Sequence, residues 1–157
     1  HLPFYLYARN YEGYLGLLKI HTKNEKGELG IIDIETWKEN LNIVLPYAYI
    51  EEYSTYESHF THFYIGYTTE YEKNNAYLVT TKVVFCPDIK CFKRSDSDAL
   101  NMLTAIERVE PYAFIPKKDY EKNSWEYAKN EYIEDESTNE FIQSIDIHIP
   151  KDCCYIP

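Results

Sequence analysis

The chain has 157 residues, a formal net charge of −10, and 45% hydrophobic and 27% charged side chains. That length fits one domain able to bury its own core, and the mixture excludes disordered and fibrous chains. The excess of carboxylates excludes DNA and RNA as natural partners, and apolar runs such as Val83-Val84-Phe85 are too short to cross a bilayer.

In chain order, short stretches with period-two alternation dominate and predict a mainly β protein. Leu2 to Arg9 reads as a first strand and Tyr14 to His21 as a second, joined by a turn at Tyr11-Glu12-Gly13. A polar tip from Lys23 to Glu28 leads to Leu29–Trp37, where Asp33, Glu35 and Trp37 alternate with Ile32 and Ile34. Leu41 to Leu45 and Tyr47 to Tyr56 follow on either side of Pro46. His59 to Tyr71 and Ala76 to Cys86 read as a long hairpin around Lys73-Asn74-Asn75, and Phe141 to Ile149 as the last strand.

One helix is predicted where Ser95 to Asp98 offer capping oxygens to the stripe Leu100, Leu103 and Ile106, ending before Pro111. A second runs from Glu121 to Lys129, with Trp125 turned inward. No repeat or linker divides the chain. The expectation is a single domain over residues 1–157, a two-sheet β-sandwich with one or two short helices.

Four cysteines, Cys86, Cys91, Cys153 and Cys154, match neither a zinc ribbon nor a redox Cys-x-x-Cys. Their even number in an acidic, strand-rich chain predicts two disulfides and an oxidising compartment. Of three connectivities, the one joining adjacent Cys153 and Cys154 is disfavoured by bridge geometry, so Cys86 and Cys91 are each expected to reach the terminal pair. The alternative is four reduced thiols.

Seventeen tyrosines give rigid contact area with a polar tip. Interleaved with carboxylates on a strand face, they suit lysine and arginine, because charges meet while rings cover aliphatic stems. By strand parity the candidate binding residues are Asp33, Glu35 and Trp37; Glu51, Tyr53 and Glu57; and Asp146, which shares a face with His148. The acidic run Glu131, Glu134, Asp135, Glu136 and Glu140 reads as a solvated loop. His59 and His62 fall on opposite faces of a strand, so no shared metal is expected. There is no Gly-x-Ser-x-Gly elbow or glycine-rich phosphate loop, and the chain is read as a binder without catalytic residues, metal or cofactor.

Domain length, acidity, tyrosine content and a Lys/Asn/Ile bias make the chain resemble the poxvirus chemokine-binding β-sandwiches. Within that family it is similar to the SECRET domain of viral tumour-necrosis-factor decoy receptors. The segment Thr80 to Cys86 and the terminal Asp152-Cys153-Cys154 carry the rest of the likeness. The resemblance implies a secreted, extracellular immune-evasion module, monomeric as an isolated domain, that holds basic host chemokines on one sheet face and blocks receptor engagement. Two rivals come from other classes. A histidine-brace copper monooxygenase would use His1 with His59, His62 or His148, and a carbohydrate-binding sandwich would use the aromatic surface.

Overall fold

Asn10 begins the first departure from those expectations. Its side chain accepts a hydrogen bond from the Gly13 amide at 2.9 Å, which satisfies one orphan donor of a helix start. The chain then runs as helix α1, Tyr11–Glu25, through the segment whose alternation predicts a second strand. Leu17 and Ile20, three residues apart, turn toward the core. The two glycines of α1 permit close approach. A Cβ on Gly13 would stand 2.1 Å from the Asn40 carbonyl oxygen, and one on Gly16 would stand 2.5 Å from the Trp37 ring.

The computed structural model describes residues 2–132 and 134–148. Its one four-stranded sheet has the order β1-β2-β3-β4: β1 Tyr5–Ala8, β2 Leu41–Pro46, β3 Phe63–Tyr67 and β4 Val83–Phe85. Strand β1 is antiparallel to β2, whereas β2, β3 and β4 are mutually parallel. Helix is 53% of the structure and strand 14%, so the two-sheet sandwich is contradicted: this is an α/β arrangement on a single sheet. The long hairpin is also corrected. Parallel neighbours need a crossover, and helix α4, Glu70–Tyr77, provides it between β3 and β4. Between β2 and β3 the crossover is a 3₁₀ turn Tyr47–Glu52, helix α3 Tyr53–Tyr56 and a second 3₁₀ turn Glu57–His59. Helix α2, Ile31–Glu35, occupies another predicted strand.

The parallel strands are buried on both faces, which explains why Ile43, Val44 and Leu45 of β2 form a continuous apolar run. One face carries Leu41, Ile43, Leu45, Phe63, Ile65, Tyr67 and Val83, packed with Ile20, Ile34, Tyr53, Phe60 and Ala76. Each fully buried aliphatic here stabilises by about 1.5–3 kcal/mol. The opposite face carries Tyr7, Asn42 and Tyr64. Helix α7, Glu136–Gln143, crosses it and sets Phe141 edge-on to Tyr7 and Tyr64, with ring centroids 5.2 and 5.0 Å away.

Helix α7 begins where the sequence predicts a solvated acidic loop and includes the start of the predicted last strand. Asp135 is its buried N-cap: Oδ1 accepts from the Thr138 amide at 2.7 Å, and Oδ2 accepts from the Thr138 and Tyr67 hydroxyls. The outer edge of β4 is closed by the same turn. Val83 and Phe85 donate their amides to the Ser137 and Thr138 hydroxyls at 2.9 and 3.1 Å, which covers donors that an open edge would expose.

The chain divides into two compact units, one of residues 1–85 with 134–157 and the other of residues 86–133. The second contains helix α5, Ser97–Arg108, and helix α6, Trp125–Glu131. Helix α5 agrees with the predicted helix, but its N-cap Asp96 makes no side-chain cap bond, and it buries Asn101 and Ala105 while Leu103 and Ile106 of the predicted stripe are exposed. Trp125, expected to turn inward, is 49% exposed because α6 buries its Ala128 side instead. No bridge joins Cys86 to Cys91, and their expected partners Cys153 and Cys154 lie outside the described residues. The Cys91 thiol lies 3.8 and 3.7 Å from the Tyr120 and Asn123 carbonyl oxygens. Burial, then the charge of Asp96, raises its pKa above the ordinary value.

Candidate functional site: an acidic tyrosine surface at the carboxyl ends of β2 and β3

Between Lys38 and Lys73 the sequence contains no lysine or arginine but six carboxylates: Glu39, Glu51, Glu52, Glu57, Glu70 and Glu72. The fold places four of them around the carboxyl ends of two parallel strands, the end of an α/β sheet where ligands generally bind. Pro46 ends β2 and sends the chain into the 3₁₀ turn that exposes Glu51 and Glu52. At the end of β3, Thr68 and Thr69 lead into α4, which brings Glu70, Tyr71 and Glu72 alongside that turn.

Local hydrogen bonding explains why α4 starts there. The Thr69 hydroxyl accepts from the Glu72 amide at 3.2 Å. Glu72 Oε1 in turn accepts from the Thr68 amide and hydroxyl at 2.8 and 2.9 Å. This is a capping arrangement of the Thr-x-x-Glu kind, with the carboxylate reaching back one residue further than usual. Its sequence signal, Thr69-Glu70-Tyr71-Glu72, is legible but is overridden by the strand reading of His59–Tyr71.

Tyr47 stands beside this cap. Burial first, then the neighbouring Tyr71 phenol and Glu72 carboxylate, raise its pKa above the ordinary phenol value. Tyr47 therefore stays neutral, a hydroxyl donor next to a fixed carboxylate. Tyr49 on the 3₁₀ turn and Tyr71 on α4 add exposed rings. Carboxylates flanked by phenol faces can take an ammonium or guanidinium group by ion pairing and cation–π contact together.

The residues chosen by strand parity go to several places. Asp33 lies in the first turn of α2, where the Gly30 amide at 2.9 Å, opposed by partial burial and helped by Lys23, holds its carboxyl below the usual range. Lys23 also pairs with Asp33 at 3.3 Å. Glu35 meets His59 Nδ1 at 3.1 Å. Trp37 packs over Gly16, with the Lys19 ammonium 5.5 Å from its ring. Asp33, Glu35 and Trp37 thus lie on and just after a helix, and share no sheet face. Tyr53 is buried and stacked on Phe63 at 5.0 Å, so it belongs to the core. Glu57 is exposed in the second 3₁₀ turn. Asp146 contacts His148 at 2.8 Å and donates its amide to the Arg9 carbonyl. Of the set, Glu51 alone joins the surface described above; Tyr47, Tyr71 and Glu72 are new to it.

Of the copper ligands considered, His1 lies outside the described residues. His62 is biased toward its neutral form by burial, then by Arg9 and Lys82. Among the described residues no three His, Cys, Asp or Glu side chains are grouped to hold a metal ion, and no helix is long and apolar enough to cross a membrane. A separate groove of about 560 Å³ opens beside α1, lined by Leu2, Phe4, Leu6, Leu17, Ile20 and Leu29 among others, with His21 and Asn24 also in its wall. No protein-family model matches the chain, and no curated protein or solved structure is significantly similar to it.

Proposed function

We propose that the chain is a protein-binding module that captures a basic protein or peptide on the surface formed by residues 47–52 and the first turn of α4. The observation that carries this reading is the absence of any lysine or arginine from residues 39–72, a segment that places carboxylates and exposed tyrosines together. Carboxylates steer a cationic partner from a distance, and the rings supply short-range contact energy. Small basic chemokines are one class of ligand with the required charge. A secreted viral decoy would be the specific form of the reading that the sequence resemblance suggests, resting on charge and composition without a sandwich fold.

The test is surface plasmon resonance of the chain over immobilised chemokines, a lysine-rich peptide and an acidic control. Capture of basic ligands whose association rate falls about tenfold or more from low to high salt supports the proposal. Salt-independent kinetics would remove the steering argument. Salt-insensitive retention on a polysaccharide column would instead favour the carbohydrate reading.

A further inference from the structure

Tyr71 has the largest exposure of any tyrosine among the described residues, 72%. It is the second residue of α4 and lies between Glu70 and Glu72. Two less exposed phenols have no carboxylate next to them in sequence, although the charges of Asp135 and Glu136 act on Tyr77 through space. Tyr49 lies between Ala48 and Ile50, and Tyr77 between Ala76 and Leu78, at 42% and 40% exposure. Position also matters. The first four amides of a helix have no intrahelical partner, so only the capping bonds among Thr68, Thr69 and Glu72 hold this turn against the extended form that a modifying enzyme grips. The Glu70 and Glu72 side chains, with Glu51 and Glu52 on the adjoining turn, create a field that attracts an enzyme with a basic cleft.

We propose that Tyr71 is a modification site whose phenol oxygen is converted to an anionic ester, by sulfo or phosphoryl transfer. The phenol oxygen attacks the sulfur of a phosphosulfate donor or the γ-phosphorus of a nucleoside triphosphate. A new O–S or O–P bond forms while the donor's anhydride bond breaks. The nucleotide leaves with the bonding pair, and the phenolic proton passes to the enzyme's base. The ester adds one or two negative charges beside Tyr47 and Glu72, so it deepens the basic-partner reading on which its consequence rests. Affinity for a lysine-rich peptide should tighten about two- to fivefold, the range of one or two exposed charge contacts.

The experiment incubates the purified chain with a tyrosylprotein sulfotransferase and its phosphosulfate donor, and separately with an acid-preferring tyrosine kinase and ATP. Peptide mapping by mass spectrometry follows, and phosphatase treatment distinguishes the two esters. The ester should accumulate at Tyr71 about tenfold faster than at Tyr49 or Tyr77, vanish in Tyr71→Phe, and slow in Glu70→Gln. Equal labelling of the three tyrosines, or labelling of Tyr71 by neither enzyme, overturns the proposal. Binding of the unmodified chain to the lysine-rich peptide is measured in parallel. Failure there would sink the binding reading while leaving the ester map to decide this one.

Discussion

Residues 1–85 with 134–157 bury a cluster of twelve side chains on one sheet face, from Ile20 through the β2 and β3 residues to Val83. Among the described residues of 86–133, the buried apolar side chains are only Ala105, Ile115, Tyr120 and Ala128. The second unit relies on side chains that clamp its backbone. Asn101 donates to the Lys118 carbonyl at 2.9 Å and accepts from the Lys118 amide at 3.0 Å, and Ser97 accepts from the Tyr120 amide at 2.9 Å. Charge divides unevenly too: the second unit has nine acidic and eight basic residues, so nearly all of the net −10 belongs to the first. Within one chain, apolar burial secures an acidic surface, while a thinner core with neutral balance depends on a few polar clamps.

The sharpest way to break this contrast is to attack a buried polar anchor of the sheet-built unit. Asp135→Ala leaves the Tyr67 hydroxyl and the Thr138 amide without their buried acceptor and removes the α7 cap. The expected loss is about 3 kcal/mol in urea unfolding. A loss below about 1 kcal/mol would mean that the apolar cluster alone holds α7. Asn101→Ala should cost about 2 kcal/mol. Hydrogen exchange should accelerate in residues 97–120 while β2 and β3 keep their protection. Uniform acceleration in both units would show that the clamp serves the whole chain.

A pH experiment separates the units further. Burial first, then the hydrogen bond to Asp135 and its charge, raises the Tyr67 phenol far above its ordinary value. The folded pKa lies above the unfolded one, so this stabilisation is complete below about pH 10 and is lost as pH rises further. Thermal unfolding from pH 9 to 11 should show the loss in wild type and a flatter profile in Tyr67→Phe. The smallest effect concerns surface charge: Glu51→Gln with Glu52→Gln should leave stability within about 0.5 kcal/mol. A larger change would make these carboxylates part of the scaffold.

The sequence located β2, bracketed β1, β3 and β4, and found α5, because those signals are local apolar runs or an amphipathic stripe beside capping residues. It misread α1 and α2 as strands, and α7 as a solvated loop running into a strand, for a shared reason. Short alternating stretches fit both periods, and the deciding information lay in Asn10 and Asp135 as N-caps and in the close packing of Gly13 and Gly16. From the acid-and-tyrosine composition an acidic, aromatic surface could be anticipated, but strand parity assigned its residues to strands that the fold does not form. Glu72 and Tyr71 come together with Tyr47 only through the parallel crossover, and nothing local in the sequence distinguishes a crossover from a hairpin.

The most direct measurement compares two triple variants by calorimetric titration with a lysine-rich peptide. One is Glu51→Gln/Glu52→Gln/Glu70→Gln in the acidic unit, the other Glu107→Gln/Glu110→Gln/Glu126→Gln in the neutral unit. Both remove the same net charge. The account predicts a loss of about tenfold or more in affinity for the first and near wild-type affinity for the second. Equal losses would contradict it, showing attraction to the chain's total charge and no dedicated surface.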